Sequence, residues 1–165
     1  MAGEYASKGF TFIFVYTREA HPGENYGAHQ NMEQKLAHAQ AFRDRWNIER
    51  PILVDDLEGT GHRLYGMLPN MTYLIGHGGR VLFRSDWTDA PTIEFVLKYL
   101  LNVRERRHAG ERLTPFYAEF VGFRKNDPAK FQGGLKVAGQ QAVDDFARMT
   151  QRWAQQEKTP GRLDV

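Results

Sequence analysis

The chain contains no cysteine. Within these 165 residues that absence removes disulfides, thiolate metal sites and thiol catalysis. Long apolar runs are missing too, and no stretch approaches the roughly 20 residues that a helix needs to cross a bilayer. The amino terminus, MAGEYASKGF, lacks the basic-then-apolar order of a signal peptide, so a cytoplasmic protein with no membrane partner is expected. Charge of one sign is scarce as well. A formal net charge of +2 argues against a nucleic-acid partner. The charge is unevenly spread: residues 104–165 hold 12 Lys and Arg against 8 Asp and Glu. An excess that thin over so long a stretch reads as a solvated face.

What is present is an ordinary globular composition, 41% hydrophobic and rich in aromatics, long enough for one core. Phe10–Tyr16 is apolar at nearly every position and predicts a strand covered on both faces. A loop with Pro22, Gly23 and Gly27 follows. Met32, Leu36, Ala39, Phe42 and Trp46 then recur at helical spacing, with His29 at the start of the same face. Ile52–Val54 reads as a second short buried strand, followed by Asp55 and Asp56 and a short helix around Thr60–Tyr65. MTYLIGHGGRVLFR predicts a hairpin, its Gly-His-Gly-Gly being the turn. Asp89 and Pro91 open a helix that buries Ile93, Val96, Leu97, Leu100 and Leu101. RERRHAGER is a linker or a helix end. Beyond it, Phe116, Tyr117, Phe120, Phe123 and Phe131 precede a last amphipathic helix carrying Val143, Phe146, Thr150 and Trp153. The order β-α-β-α-β-β-α predicts an α/β sandwich with a mixed central sheet. Residues 1–103 would form that domain and 104–165 a C-terminal helical and irregular extension.

No dinucleotide fingerprint, phosphate loop, zincin helix or nucleophile elbow occurs. The polar set worth weighing is Glu19, His21 and His29, in YTREAHPGENYGAHQ just past the first strand. A carboxylate beside an imidazole raises its pKa and fixes its tautomer, which suits a proton donor near neutral pH. Against this stands the plain reading of solvated loop histidines. A metal is not expected, because E-x-H-x7-H is not a recognised ligand spacing. His38, His62, His77 and His108 read as surface or turn residues.

FIFVYTREAHPGE, then HQNMEQKLAHAQAF, then PILVDDLEGTGHRLYGMLPNMTYLIGHGGRVLFRSDW resemble, in that order, the iodothyronine deiodinases and their bacterial relatives. The resemblance covers residues 8–101 and implies a thioredoxin-like fold. It also implies thiol- or selenol-dependent oxidoreduction, including reductive dehalogenation. Glu19 and His21 would then form a proton-donating pair and His29 would contact the polar end of a substrate. Expected partners are a thiol reductant or a small-molecule substrate, with no cofactor, and a homo-oligomer is open.

The chain departs from the family where its chemistry is most specific. The family nucleophile lies on a β-α unit before the strand matching Phe10–Tyr16, and this sequence has neither that unit nor a cysteine. Three accounts stand. Either the sequence is the part of a longer selenoprotein that follows a UGA codon, read from an internal start at Met1, or it is a remnant that binds without catalysing, or residues 104–165 or a second copy supply the missing strand. The first is the expectation, and it makes the 165 residues inactive alone. The alternative is a non-catalytic binding or assembly module. In that case the aromatics of 115–131 and the basic tail meet a partner instead of covering the domain's own apolar face.

Overall fold

A computed structural model describes residues 1–113 and 127–157. The expected positions Phe116, Tyr117, Phe120 and Phe123, and the end of the basic tail, residues 158–165, lie outside them. The architecture is α/β. Helices α1 (Ala2–Ala6), α2 (Met32–Arg45), α3 (Thr60–Leu64), α4 (Ala90–His108), α5 (Pro128–Ala138) and α6 (Gln140–Glu157) accompany strands β1 (Phe14–Tyr16), β2 (Ile52–Val54), β3 (Thr72–Ile75) and β4 (Val81–Ser85). Among the described residues the strands form two separate pairs, β1–β2 and β3–β4, rather than one mixed central sheet. The described chain divides into two compact units, residues 1–11 with 68–113, and 12–67 with 127–157.

In the first unit β3 and β4 pair antiparallel across the Gly-His-Gly-Gly turn. Gly79 takes φ 75 there, a left-handed conformation that glycine adopts without steric cost. Asp89 caps α4 by accepting from the Thr92 N–H at 3.0 Å, with a proline in the first turn, as the sequence predicts. Ile93 and Leu97 are the buried residues of that helix, and burying a side chain such as Leu97 is worth about 1.5–3 kcal/mol. RERRHAGER is the end of α4, which runs to His108. The Arg104 guanidinium reaches back to the Lys8 carbonyl at 2.9 Å, tying α4 to the segment after α1.

The second unit carries the candidate site. β1 and β2 run parallel, with Phe14 opposite Ile52, Val15 opposite Leu53 and Tyr16 opposite Val54. The rings of Phe14 and Tyr16 each stand 6.0 Å from that of Phe42 on α2. The opposite face is open: Val15 is 53% and Leu53 55% exposed. The expectation of a strand covered on both faces is therefore corrected. A sequence apolar at every position takes an alternating burial pattern here, because side chains alternate across a pleated strand and α2 covers one side. The strand is also shorter than predicted, beginning at Phe14.

The apolar stripe of α2 is corrected as well. Met32, Leu36 and Trp46 are exposed, while Lys35 and Ala39 are buried and His38 is partly buried. The inward face runs Lys35, His38, Ala39, Phe42, at the i, i+3, i+4, i+7 spacing of one helix side. Two polar residues occupy it, so hydrophobicity alone points about one residue off. The Lys35 ammonium finds the Asp56 carbonyl at 2.7 Å, which satisfies one of its donors and fastens α2 to the loop after β2.

Helices α5 and α6 belong to this same unit. Glu24, in the loop after β1, accepts from the N–H groups of Gln140 at 2.6 Å and Gln141 at 2.9 Å. A carboxylate 116 positions away in sequence thus takes the unpaired donors at the start of α6. Gly23 is buried against this junction, and the Asn25 N–H donates to the Ala138 carbonyl at 2.9 Å.

Candidate functional site

β1 delivers Tyr16 at its last position, and the chain leaves the sheet through Glu19. It returns through His29 to the start of α2. Asn31 caps that helix by accepting from the Gln34 N–H at 2.8 Å, and the Gln34 side chain accepts from the Gln30 N–H at 2.8 Å. His29 therefore stands before the cap, not within the helix, and the cap fixes how the chain enters. His38, on the second turn of α2, approaches from the helix side.

These elements bring Glu19, His29 and His38 together. Glu19 Oε1 lies 3.8 Å from His29 Nε2 and 3.7 Å from His38 Nδ1, and the Tyr16 hydroxyl donates to the same oxygen. The side chains of His29, His38 and Glu19 are only 5%, 13% and 21% exposed. Aromatic rings wall the cluster: Tyr16 lies 5.7 Å from the His29 ring, Tyr26 5.2 Å from His38, and the two imidazoles 5.2 Å from each other. His29 Nε2 and His38 Nδ1 are both buried and have no hydrogen-bond partner among the described residues.

His21 is placed apart from this cluster. Its ring meets Phe131 at 5.9 Å and Phe146 at 5.4 Å, both edge-on, so it packs on the aromatic face of α5 and α6. Of the three sequence candidates the structure joins Glu19 with His29 and sets His21 elsewhere. His38, read from sequence as a surface residue, is a member of the site. The signal that could have found it is its position three residues after Lys35 and four before Phe42, on the inward side of α2.

The electrostatics also differ from expectation. A neighbouring carboxylate was expected to raise an imidazole pKa, but His29 is held below its ordinary value. Burial is the main cause, followed by the positive charges of His38 and Lys35. Burial lowers His21 in the same direction. The Tyr16 phenol is pushed well above its ordinary range, first by burial and then by its hydrogen bond to Glu19 and that residue's charge. Near neutral pH His29 is thus a neutral base facing a carboxylate, not a stored imidazolium.

A cleft of about 330 Å³ opens beside the cluster, with Glu19, His29, Lys35 and His62 in its wall and Arg18, Glu58 and Arg63 around it. His62, in that wall, is fixed by Asp55, whose carboxylate accepts from the N–H groups of Gly61 and His62 at 2.9 Å and Asp56 at 3.1 Å. Burial acts to raise the Asp55 pKa, and these backbone donors outweigh it, holding the group below its ordinary value. Met67, on the rim, adopts φ 64, a left-handed conformation uncommon for a side chain of its kind. The cleft is of small-molecule size and is lined by both signs of charge, a setting for a polar ligand.

No known protein-family model matches this chain, and no solved structure matches it. Among the described residues no helix is long and apolar enough to cross a membrane.

Proposed function

We propose that this chain binds a small polar molecule in the Glu19–His29 cleft and relays protons to it during a two-electron reduction. It would do so as a thioredoxin-like domain of the deiodinase-like kind. The observation that carries the reading is the convergence of Tyr16, Glu19, His29 and His38 at the cleft beside β1. A hydroxyl, a carboxylate and two imidazoles in series can pass a proton by small shifts of each hydrogen. Reduction of a carbon–halogen bond by a dithiol converts R–X and two thiols into R–H, halide, a disulfide and one proton. The electrons come from thiol sulfur, and these 165 residues contain no cysteine. The reducing group therefore lies outside these 165 residues, and the cluster's task is to deliver a proton to carbon.

The test uses the full chain, an iodinated phenol as probe and dithiothreitol as the dithiol. Saturable binding is expected, weakened about tenfold in His29→Ala by the loss of one hydrogen bond worth roughly 1.4 kcal/mol. Dithiol-driven iodide release should exceed the rate with dithiol alone and fall back to it in Glu19→Gln. Binding that both variants leave unchanged, or release no faster than dithiol alone, refutes the reading. A second reading, an assembly module, is favoured by the paired exposed side chains Val15 and Leu53. A wild-type dimer in sedimentation that Leu53→Lys dissociates would select it.

A further inference from the structure

We propose that Glu19, His29 and His38 form a binding site for a single divalent transition-metal ion of the zinc class. Their ligand atoms all lie within 4.8 Å of one another. Two neutral imidazoles and one carboxylate are a donor set that suits zinc and its neighbours. The second observation is independent of the grouping itself. Among the described residues His29 Nε2 and His38 Nδ1 are buried, lack a hydrogen-bond partner, and both approach the same carboxylate oxygen. A buried nitrogen left unpaired costs free energy, and a shared ion satisfies both at once.

The distances fit an ion better than direct hydrogen bonds. At 3.7 and 3.8 Å the nitrogens stand too far from Glu19 Oε1 to bond it. Tetrahedral ligands around zinc sit about 3.3–3.5 Å apart, given metal–ligand lengths near 2.0–2.1 Å. The two Glu–His contacts need to contract by roughly 0.3 Å, and the two nitrogens, within 4.8 Å of each other, by up to about 1.4 Å, a movement made by rotating the imidazoles. Tyr16, which donates to Glu19, supplies the outer hydrogen bond that orients a ligating carboxylate. Glu19 and His29 both line the cleft, so a fourth position opens toward it for water or a polar ligand. The Glu19-x9-His29-x8-His38 spacing resembles no short ligand motif, because the third ligand arrives on a helix.

Metal binding does not rest on the redox reading. An ion on these three atoms and a proton relay through them exclude one another in one molecule, so the relay belongs to the metal-free chain and metal binding is read with no thiol or halogenated probe present. The experiment is titration of the metal-stripped full chain with Co²⁺ and Zn²⁺, followed by the Co²⁺ ligand-field spectrum, calorimetric stoichiometry and thermal stability. One ion per chain is expected, with a four-coordinate Co²⁺ spectrum and a higher Tm. Glu19→Gln and His38→Gln should weaken binding at least 100-fold, and Tyr16→Phe about 10- to 100-fold as an outer-shell change. His77→Gln, in the hairpin turn, should bind as wild type. Should His38→Gln fail to fold, the near-isosteric Glu19→Gln variant decides. Less than one ion bound, or equal binding by wild type and Glu19→Gln, overturns the proposal.

Discussion

Gly23→Ala should destabilise the second unit sharply, while the same substitution at Gly133 or Gly134 should stabilise it. A Cβ on Gly23 would fall inside contact distance of the Ala138 carbonyl oxygen, 2.8 Å from its carbon and 3.3 Å from the Ala142 Cβ. The obstacle is backbone, which cannot rotate away. Overpacking of this kind costs about 1–3 kcal/mol. Pushing the loop off α5 also breaks the Asn25 N–H to Ala138 hydrogen bond, worth about 1 kcal/mol. The total is about 2–4 kcal/mol, or a Tm fall near 9 °C at its midpoint for a chain of this size. Gly133 and Gly134 lie exposed within α5 with nothing within 4 Å of an added Cβ. There alanine replaces the poorer helix former and gains about 0.8–1 kcal/mol at each position. Thermal denaturation of the three single variants, followed by circular dichroism, reads the difference. Three melts within about 2 °C of wild type would refute the packing of the 21–25 loop on α5 and α6.

Other consequences are simpler to read. His21 and His29 are held below their ordinary pKa in the fold, so the unfolded chain takes up protons first. Stability should be flat above about pH 6.5 and fall below it by at most about 1.4 kcal/mol per pH unit for each histidine. Denaturant melts from pH 7.5 to 5 check this, and the loss should shrink in His21→Gln; a slope of the opposite sign contradicts the burial of these rings. Leu97→Ala, at a fully buried position of α4, should cost about 2–5 kcal/mol by urea unfolding. A cost under about 1 kcal/mol would mean that α4 does not bury this face.

The elements defined by local chemistry were legible in the sequence. The glycine turn with apolar flanks marks β3–β4, and Asp89 with Pro91 marks the start of α4, because caps and turns act within a few residues. The inward face of α2 was not legible. Lys35 and His38 occupy it, and a hydrophobic pattern cannot point to a side that carries a buried ammonium and an imidazole. Glu19 and His29 were found by their place after a strand and before a helix, but His21 was grouped with them by its closeness in sequence and by the deiodinase resemblance. Its partners, Phe131 and Phe146, lie more than a hundred residues away. The capping of α6 by Glu24 is hidden for the same reason, since long-range contacts leave no periodic trace.

The claim on which the account depends is that Glu19, His29 and His38 form one electrostatic cluster. Side-chain ¹⁵N NMR titration of the histidines in the metal-free chain tests it directly. His29 should titrate below its ordinary value, drop further in Glu19→Gln as the nearby negative charge is lost, and rise in His38→Gln as a positive neighbour is removed. His77, on the hairpin turn, should not respond to either change. A His29 midpoint at the ordinary value, unmoved by both substitutions, would mean that the three side chains do not meet and that the cleft has no such wall.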